Sequence, residues 1–397
     1  MADNSTTTGP ATTGAATTAG GAGAETPRMR RVSAYAEWQK GEGIPVYDTF
    51  FVGDMKTLEL GRWARLGVDA AFVNLEGAGD SNNCYVAEVP VGGSTAPMRH
   101  LYEELVYVLQ GSGATTISNG KGASHTFEWQ AGSLFAIPMN TTFRHFNTSG
   151  GEPARYVAVI TAPVVMNLFH NTDFVFNTPY DFTDRYNGEQ SFDGAGELWL
   201  NSRGVFRIWE TNFVPDADTH QLYKRGNRGA GGSYICFELA HGSMVAHISE
   251  FPVGTYKKAH RHGPGANVII LGGKGFTLLW EDGKWDERVK VDWKPGSIVV
   301  PPSRWFHQHF NSGAEPARYL ALRWGSNRYE FNIVGQEREG GTDTSVKLGG
   351  DQIEYPDEDP EVHRLFEAEL KASGATCRMK AMQAPGCTGI SHEDQAD

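Results

Sequence analysis

The sequence predicts an all-β protein of two tandem jelly-roll β-barrels with few short helices. Three observations support this prediction: an internal repeat at a spacing of about 160 residues, short β-branched runs bounded by Gly or Pro, and a scarcity of helical patterns. At 397 residues the chain exceeds the usual size of one hydrophobic core, so two domains are expected. The 48 glycines and 19 prolines suit many strands joined by tight turns.

The internal repeat is the strongest signal in the sequence. Residues 88–92 (EVPVG) recur as residues 250–254 (EFPVG), and the sequence EPARY occurs at both 152–156 and 315–319. Further matches between these pairs keep the same order, which two unrelated domains of similar composition would not produce. The two halves are therefore expected to share one fold.

Each copy contains runs that are typical of β-strands. They are residues 106–109 (VYVL), 156–160 (YVAVI), 268–271 (VIIL), 298–300 (IVV) and 319–322 (YLAL). The clearest helical stretch covers residues 360–373 and is followed by Gly374, a residue type that commonly ends helices.

Composition excludes several classes of function. The formal net charge of −12 argues against a nucleic-acid or anionic-membrane partner, because both need a basic surface. No run of 18 apolar residues is present, so no membrane-spanning helix is expected. Residues 1–31 lack the apolar region of a secretory signal, and the cysteines at positions 84, 236, 377 and 387 lack zinc-type CxxC spacing. These features favour a cytoplasmic protein, and exposed barrel edges favour a homo-oligomer.

Two segments of the second copy resemble the paired motifs of the cupin superfamily. The first motif is matched by Gly254, His260, His262 and Gly273, and the second by Gly296, Pro302, His307 and Asn311. The resemblance covers residues 85–160 and 247–325 and implies a bicupin. It also implies that His260, His262 and His307 are metal ligands.

The spacing of these histidines agrees with that implication. Alternate residues of a strand face the same side, so His260 and His262 both point into the barrel, and His307 arrives from another strand. Three imidazoles suit Fe(II), which we expect, but also Mn(II), Ni(II), Cu(II) or Zn(II). The alternative is that these histidines only satisfy hydrogen bonds at the barrel mouth. His309 competes for the third ligand position, although its repeated counterpart His145 favours a structural role.

Three further residues are candidates for the catalytic site. The usual cupin Glu would fall at Ala266 or Asn267, so Asn267 is predicted to bind the metal weakly, to hold a metal-bound water, or to do nothing. Arg323 follows a predicted strand and points either inward, where it would bind a substrate carboxylate, or outward. His309 completes this set. The cationic residues Lys257, Lys258 and Arg261 are interpreted as solvated charges, and Trp280, Trp305, Phe306 and Trp324 as core packing or as contacts for a flat ring substrate.

The first copy lacks most of the metal motif. Met98 stands in place of the first His and Phe143 in place of the last, while His100 and Glu104 remain. Two ligands rarely hold a catalytic metal, so this barrel is predicted to be structural. The predicted segments are a disordered tail, a first barrel without metal, a connection, a metal-binding barrel, and a C-terminal helix with a loose tail. They cover residues 1–31, 32–175, 176–235, 236–345 and 346–397.

The ligand set without a carboxylate resembles that of ring-cleaving dioxygenases of the gentisate type. The resemblance implies an Fe(II) oxygenase that uses O₂ and a small aromatic or keto acid. The gentisate-type enzymes keep their metal in the first barrel, which weakens any transfer of substrate identity. The alternatives are a non-redox isomerase, lyase or decarboxylase that uses the metal as a Lewis acid, and a non-enzymatic small-ligand-binding cupin.

Overall fold

The computed structural model describes residues 29–188, 191–201, 204, 206–224, 231–263, 265–329 and 343–379. Most of the predicted disordered tail, the loose tail beyond residue 379 and Cys387 lie outside these residues. The chain divides into a unit of residues 1–32 and a unit of residues 33–397, and every element below belongs to the second unit. Among the described helices, none combines the length and apolar character that crossing a membrane requires.

The described part of the second unit consists mainly of strands. In chain order they are β1 (Val46–Thr49), β2 (Phe51–Val52), β3 (Gly61–Trp63), β4 (Val68–Leu75), β5 (Asn83–Val89), β6 (Glu104–Gln110), β7 (Ser112–Ser118), β8 (Ser124–Gln130), β9 (Leu134–Ile137), β10 (Thr142–Asn147), β11 (Ala154–Ile160), β12 (Glu197–Leu200), β13 (Arg207–Thr211), β14 (Phe213–Val214), β15 (Tyr223–Lys224), β16 (Ser233–Leu239), β17 (Met244–Phe251), β18 (Asn267–Gly272), β19 (Gly275–Trp280), β20 (Val289–Trp293), β21 (Ile298–Val299), β22 (Phe306–Asn311) and β23 (Ala317–Trp324).

The helices are few, as predicted. They are α1 (Ala34–Glu42), α2 (Ala162–Phe169), α3 (Thr172–Asn177) and α4 (Pro360–Ser373), with 3-10 turns at Glu76–Ser81, Trp285–Glu287, Val346–Leu348 and Tyr355–Asp357. Helix α4 confirms the predicted helix over residues 360–373. Asp359 caps its first turn, and Gly374 ends it in the left-handed conformation.

The two halves repeat one strand arrangement, which confirms the predicted all-β tandem barrel. In the first half, a large sheet contains the order β5-β11-β6-β9 and faces a smaller sheet β10-β7-β8. In the second half, β17-β23-β18-β21 faces β22-β19-β20. The repeat found in the sequence is thus a repeat of paired sheets.

Each large sheet also takes one short strand from the other half. Strand β2 pairs with β21 of the second half, and β14 pairs with β9 of the first half. Residues 51–52 therefore lie in the second large sheet, although they fall within the segment predicted as the first barrel. Residues 213–214, from the predicted connection, lie in the first large sheet.

Alternation along the central strands separates the barrel interiors from the layer between the barrels. On β18, Val268 and Ile270 face the interior of the second barrel, while Ile269 and Leu271 face the other half. Leu105 on β6 belongs to that same shared cluster, so the two large sheets pack face to face. Burial of each such side chain stabilises the fold by about 1.5–3 kcal/mol.

The smaller sheet of the second barrel is covered on its outer face as well. Helix α4 packs Phe366 against Phe310 of β22, in a cluster that also contains Tyr256 and Met379. All six residues of β22 are buried for this reason. The matching strand β10 is only half buried on that side.

A hydrogen-bonded Trp–Thr–His group recurs inside both barrels. In the first, the indole Nε1 of Trp129 donates to Thr115 Oγ1 at 2.8 Å, and Thr115 Oγ1 lies 2.7 Å from His145 Nδ1. In the second, the distances are 3.1 Å for Trp293 to Thr277 and 2.8 Å for Thr277 to His309. Burial lowers the pKa of His145 to about 4 and, together with the charge of Lys257, that of His309 to about 3. Both rings are therefore neutral at pH 7.

Folding stability should fall when the pH is lowered from about 6.5 to about 4, partly because of His145. The unfolded chain binds a proton there below about pH 6.5, whereas the folded chain binds it only near pH 4. The free energy of unfolding should drop by up to about 1.4 kcal/mol per pH unit, about 3 kcal/mol in total, with no further loss from this group below pH 4. Denaturant titrations of wild type and His145→Gln measure the effect, and identical pH slopes in the two proteins would contradict it.

Candidate metal centre

Three histidine side chains converge at the mouth of the second barrel. His260 and His307 form an antiparallel bridge, with backbone N–H···O distances of 3.1 and 2.9 Å, so their side chains lie on the same side. His262 follows two residues after His260. One ring nitrogen of each residue lies within 4.8 Å of those of the other two. The structure thus brings together the three predicted metal ligands.

The backbone orients each of these rings. The Nδ1 atom of His260 lies 3.1 Å from the carbonyl oxygen of Lys258, that of His262 3.1 Å from Gly263, and that of His307 3.3 Å from Trp305. A carbonyl oxygen only accepts hydrogen bonds, so each Nδ1 carries the hydrogen and Nε2 carries the lone pair. Metal-binding histidines are oriented in this way. The donor set fits a divalent transition metal.

The described residues of this group include no carboxylate. Ala266 occupies the position where the first half has Glu104, and it is buried in the interior of the second barrel. Glu104 lies 3.2 Å from His100 and accepts a 2.8 Å hydrogen bond from Tyr85. Because Ala266 removes the charge, the three ligands are neutral and would leave a bound ion its full 2+ charge.

Of the three alternatives predicted for Asn267, its position in the structure favours the one without a role at the metal site. Asn267 begins β18, and its side chain shares the face of Ile269, which packs between the two large sheets. Its amide donates to Asn82 of the first half and, at 3.3 Å, to the carbonyl oxygen of Leu322. Strand alternation gives the inward face to Ala266, so Asn267 points away from the histidines.

The other two predicted catalytic residues differ in burial, His309 being buried and Arg323 exposed. His309 lies next to His307 in the barrel, with a ring-centroid separation of 5.7 Å, and its Nδ1 is engaged by Thr277. Arg323 shares the inward parity of Tyr319 and Ala321 on β23, but it is exposed at the end of the strand. The structure therefore places His309 in the Trp–Thr–His group of the second barrel and Arg323 at the exposed end of its strand.

A buried cation lies inside the second barrel, and the sequence interpretation missed it. Lys257, expected to be solvated, is 5% exposed, and its Nζ donates to Ser249 Oγ at 2.6 Å and to Tyr319 OH at 2.8 Å. Burial and then the positive charge of Lys257 lower the pKa of His309, which lies next to His307. The interior around it is otherwise mainly apolar. The second barrel therefore has a positive interior.

The charged rim holds the histidine loop in place. Asp351 accepts from Arg261 at 2.8 Å and from Arg304 at 2.9 Å. Burial works to raise the pKa of Asp351, but these two hydrogen bonds outweigh it, so the pKa is lowered. Lys258 pairs with Glu354 at 2.5 Å. Lys258 and Arg261 are thus ion-paired at the rim, where the sequence predicted solvated charges.

The aromatic residues near the centre divide between two layers. Trp280 and Phe306 pack on the outer face of the small sheet, and Trp324 packs in the layer between the barrels. Trp305 packs against the interior cluster of the second barrel. Of these four, Trp305 is placed to contact a molecule bound inside.

The first barrel keeps the backbone of the site with different side chains. Met98 and Phe143 form the same antiparallel bridge as His260 and His307, with N–H···O distances of 2.9 and 2.8 Å. Both side chains are buried in the core. His100 stacks on Tyr102 at a centroid distance of 3.6 Å. The equivalent position is thus filled by apolar packing.

Comparisons with known proteins find one protein family and a set of solved structures. Residues 85–160 match the family described as the cupin domain. A solved structure of oxalate decarboxylase is 13% identical, with a TM-score of 0.46, and the match covers 71% of this chain and 78% of that chain. A variant of oxalate decarboxylase from Bacillus subtilis is 14% identical, with a TM-score of 0.45 and coverage of 70% and 77%. Among curated proteins, none matches the sequence. The first half thus matches a cupin domain, and the second half repeats its arrangement of sheets.

Replacing His260, His262 or His307 by Ala should lower the metal content by one equivalent per chain. Each variant loses one of three ligands, so metal affinity should fall by more than the 10- to 100-fold that is typical of losing an outer hydrogen bond. Elemental analysis after dialysis against each candidate metal measures this. His309→Gln and Asn267→Ser are the controls and should keep the metal. Loss of metal in either control would contradict the assignment.

Proposed function

We propose that this protein is a metal-dependent enzyme that binds a small organic acid at the three-histidine centre of its second barrel. The observation that carries the proposal is the set of three histidines whose Nδ1 atoms all face backbone carbonyl oxygens. When bound, a divalent metal supplies Lewis-acid activation of the substrate oxygen atoms. The proposed reaction is non-redox, of the isomerase, lyase or decarboxylase type.

The charge of the barrel supports an anionic substrate. The three ligands are neutral, and Lys257 adds a buried positive charge to the same interior. A carboxylate entering this space would compensate charges that are otherwise costly to bury. An uncharged substrate would gain no such interaction.

The residues of the chain orient the substrate and exclude water. Lys257 is held by Ser249 and Tyr319, so its ammonium group has a defined position for binding one carboxylate oxygen. The apolar side chains around it, among them Val268 and Leu279, keep water away from the reacting atoms. Trp305 packs against the same cluster.

An Fe(II) dioxygenase is the second candidate. It is favoured by Ala266, which leaves the centre without a carboxylate, as in the gentisate-type enzymes that the sequence resembles. Such an enzyme consumes O₂ together with its acid substrate, whereas the non-redox enzyme does not. Mn(II), Ni(II), Cu(II) and Zn(II) would each suit the ligand set as well.

Turnover should persist without O₂ and with a redox-inert metal. Metal-free protein reloaded separately with Zn(II), Mn(II) and Fe(II) is assayed on a panel of small keto, hydroxy and aromatic acids, in air and under argon. A Lewis-acid reaction needs no change in metal oxidation state, so Zn(II) or Mn(II) protein should be active under argon. Activity restricted to Fe(II) in air, with O₂ uptake, would establish the dioxygenase instead. Binding of acids with no turnover by any form would overturn both.

The variant Lys257→Met should weaken acid binding without removing the metal. Met fills a similar volume and lacks the charge, so the loss of a charge-assisted hydrogen bond should raise KM by about 10- to 100-fold. Steady-state kinetics and elemental analysis separate the two effects. Unchanged KM with full metal content would show that Lys257 does not contact the substrate, while the matched rim variant Lys258→Met should leave KM unchanged.

A further inference from the structure

We infer that the protein contains a second transition-metal site, formed by His363, Glu367 and Cys377 on the outer side of the second barrel. Its mixed nitrogen, oxygen and sulfur ligands suit a borderline-soft divalent ion such as Zn²⁺. The site goes beyond the proposed function and does not depend on it.

The geometry of the three side chains is close to that of a tetrahedral site. His363 and Glu367 are four residues apart on α4, and His363 Nε2 lies 3.1 Å from Glu367 Oε1 and 3.8 Å from Cys377 Sγ. The three ligand atoms all lie within 4.8 Å of one another. Bonds of about 2.0–2.3 Å in a tetrahedral zinc site separate neighbouring ligand atoms by about 3.3–3.7 Å. Small side-chain rotations would therefore complete the site.

The hydrogen-bond network directs Nε2 of His363 toward the other two ligands. Nε2 lies 3.1 Å from the Glu367 carboxylate, which only accepts hydrogen bonds, so in the absence of metal the Nε2 hydrogen is donated to Glu367. A metal ion would take the place of this hydrogen. Tyr256 donates its hydroxyl hydrogen to Glu358, so its oxygen, 3.3 Å from His363 Nδ1, is available to accept a hydrogen carried by Nδ1 when Nε2 binds the ion.

The sulfur atom accepts a hydrogen bond from the backbone. The N–H of Met379 donates to Cys377 Sγ at 3.5 Å, an arrangement that is compatible with a sulfur ligand. Binding would release the thiol proton to solvent. Cys377 and His363 are buried, whereas the Glu367 side chain is 39% exposed. An ion can therefore enter from the Glu367 side, where a water can supply the fourth ligand.

The ion would tie α4 to the segment that follows it. This segment docks on the barrel through the N–H of Arg378, which donates to the carbonyl oxygen of Gly254 at 2.8 Å. At Gly254 a Cβ would lie only 1.9 Å from the carbonyl oxygen of Thr376, so only glycine allows this approach. Helix α4 covers the outer face of β22, and His307 points from the inner face of the same strand. The second site would therefore stabilise the packing of α4 on the outer face of the strand that carries His307.

Cobalt(II) distinguishes the two sites because only the second contains sulfur. The full-length protein is stripped of metal, kept reduced and titrated with Co(II), both as wild type and with His260, His262 and His307 all replaced by Ala. We expect two equivalents in the wild type and one in the triple variant, with a near-ultraviolet thiolate-to-cobalt absorption band in both. A single equivalent in the wild type that disappears in the triple variant would overturn the inference.

Two matched cysteine variants identify the residue that gives rise to the thiolate-to-cobalt absorption band. In the triple-histidine background, Cys377→Ser should remove the band, while Cys236→Ser, which changes a buried cysteine elsewhere, should keep it. Glu367→Gln changes a partly exposed side chain, so folding is preserved, and Co(II) binding at this site should weaken at least about 10-fold. Circular dichroism confirms folding of each variant. A band that survives Cys377→Ser, or unchanged affinity in Glu367→Gln, would show that these residues hold no metal and only share a proton.

Discussion

The backbone bridge between His260 and His307 is the constraint on which the candidate site depends. It joins the segment between β17 and β18 to β22 of the small sheet at the barrel mouth, and it fixes two ligands on one side before any metal is present. The first barrel forms the same bridge with Met98 and Phe143. The fold therefore supplies the position in both halves, and the side chains alone decide whether it can bind an ion.

The same separation of fold and chemistry explains the rest of the repeat. The Trp–Thr–His groups link the strands of each small sheet from inside the barrel, so both barrels retain them. The carboxylate of Glu104 and the histidine triad do not have a structural role that both barrels share. Each is found in one half only, Glu104 bound to His100 and Tyr85, and the triad without a carboxylate.

The sequence was sufficient for the strands and α4, which follow from local periodicity, and for the repeat, which follows from matched segments. The grouping of the three histidines was implied by the resemblance to the cupin motifs. It was insufficient at Asn267, since β18 is buried on both faces and its apolar pattern does not show which face is inward. Lys257 and Lys258 are adjacent and look alike, yet alternation places one inside the barrel and the other at the rim. The exchange of β2 and β14 between the large sheets has no local signal, because two-residue strands depend on the partner that they meet.

The grouping of His363, Glu367 and Cys377 illustrates a further limit of sequence patterns. Zinc motifs are recognised when ligands are close in sequence, whereas here a helix C-terminus at Gly374 turns the chain back so that Cys377 approaches the start of α4. Both candidate centres thus depend on how backbone segments dock, one inside the barrel and one behind it. Since Phe310 of β22 packs on Phe366 of α4 while His307 and His309 of the same strand face inward, β22 joins the two layers. A change in the packing of α4 would therefore alter the position of β22 and, with it, the position of His307 in the three-histidine centre.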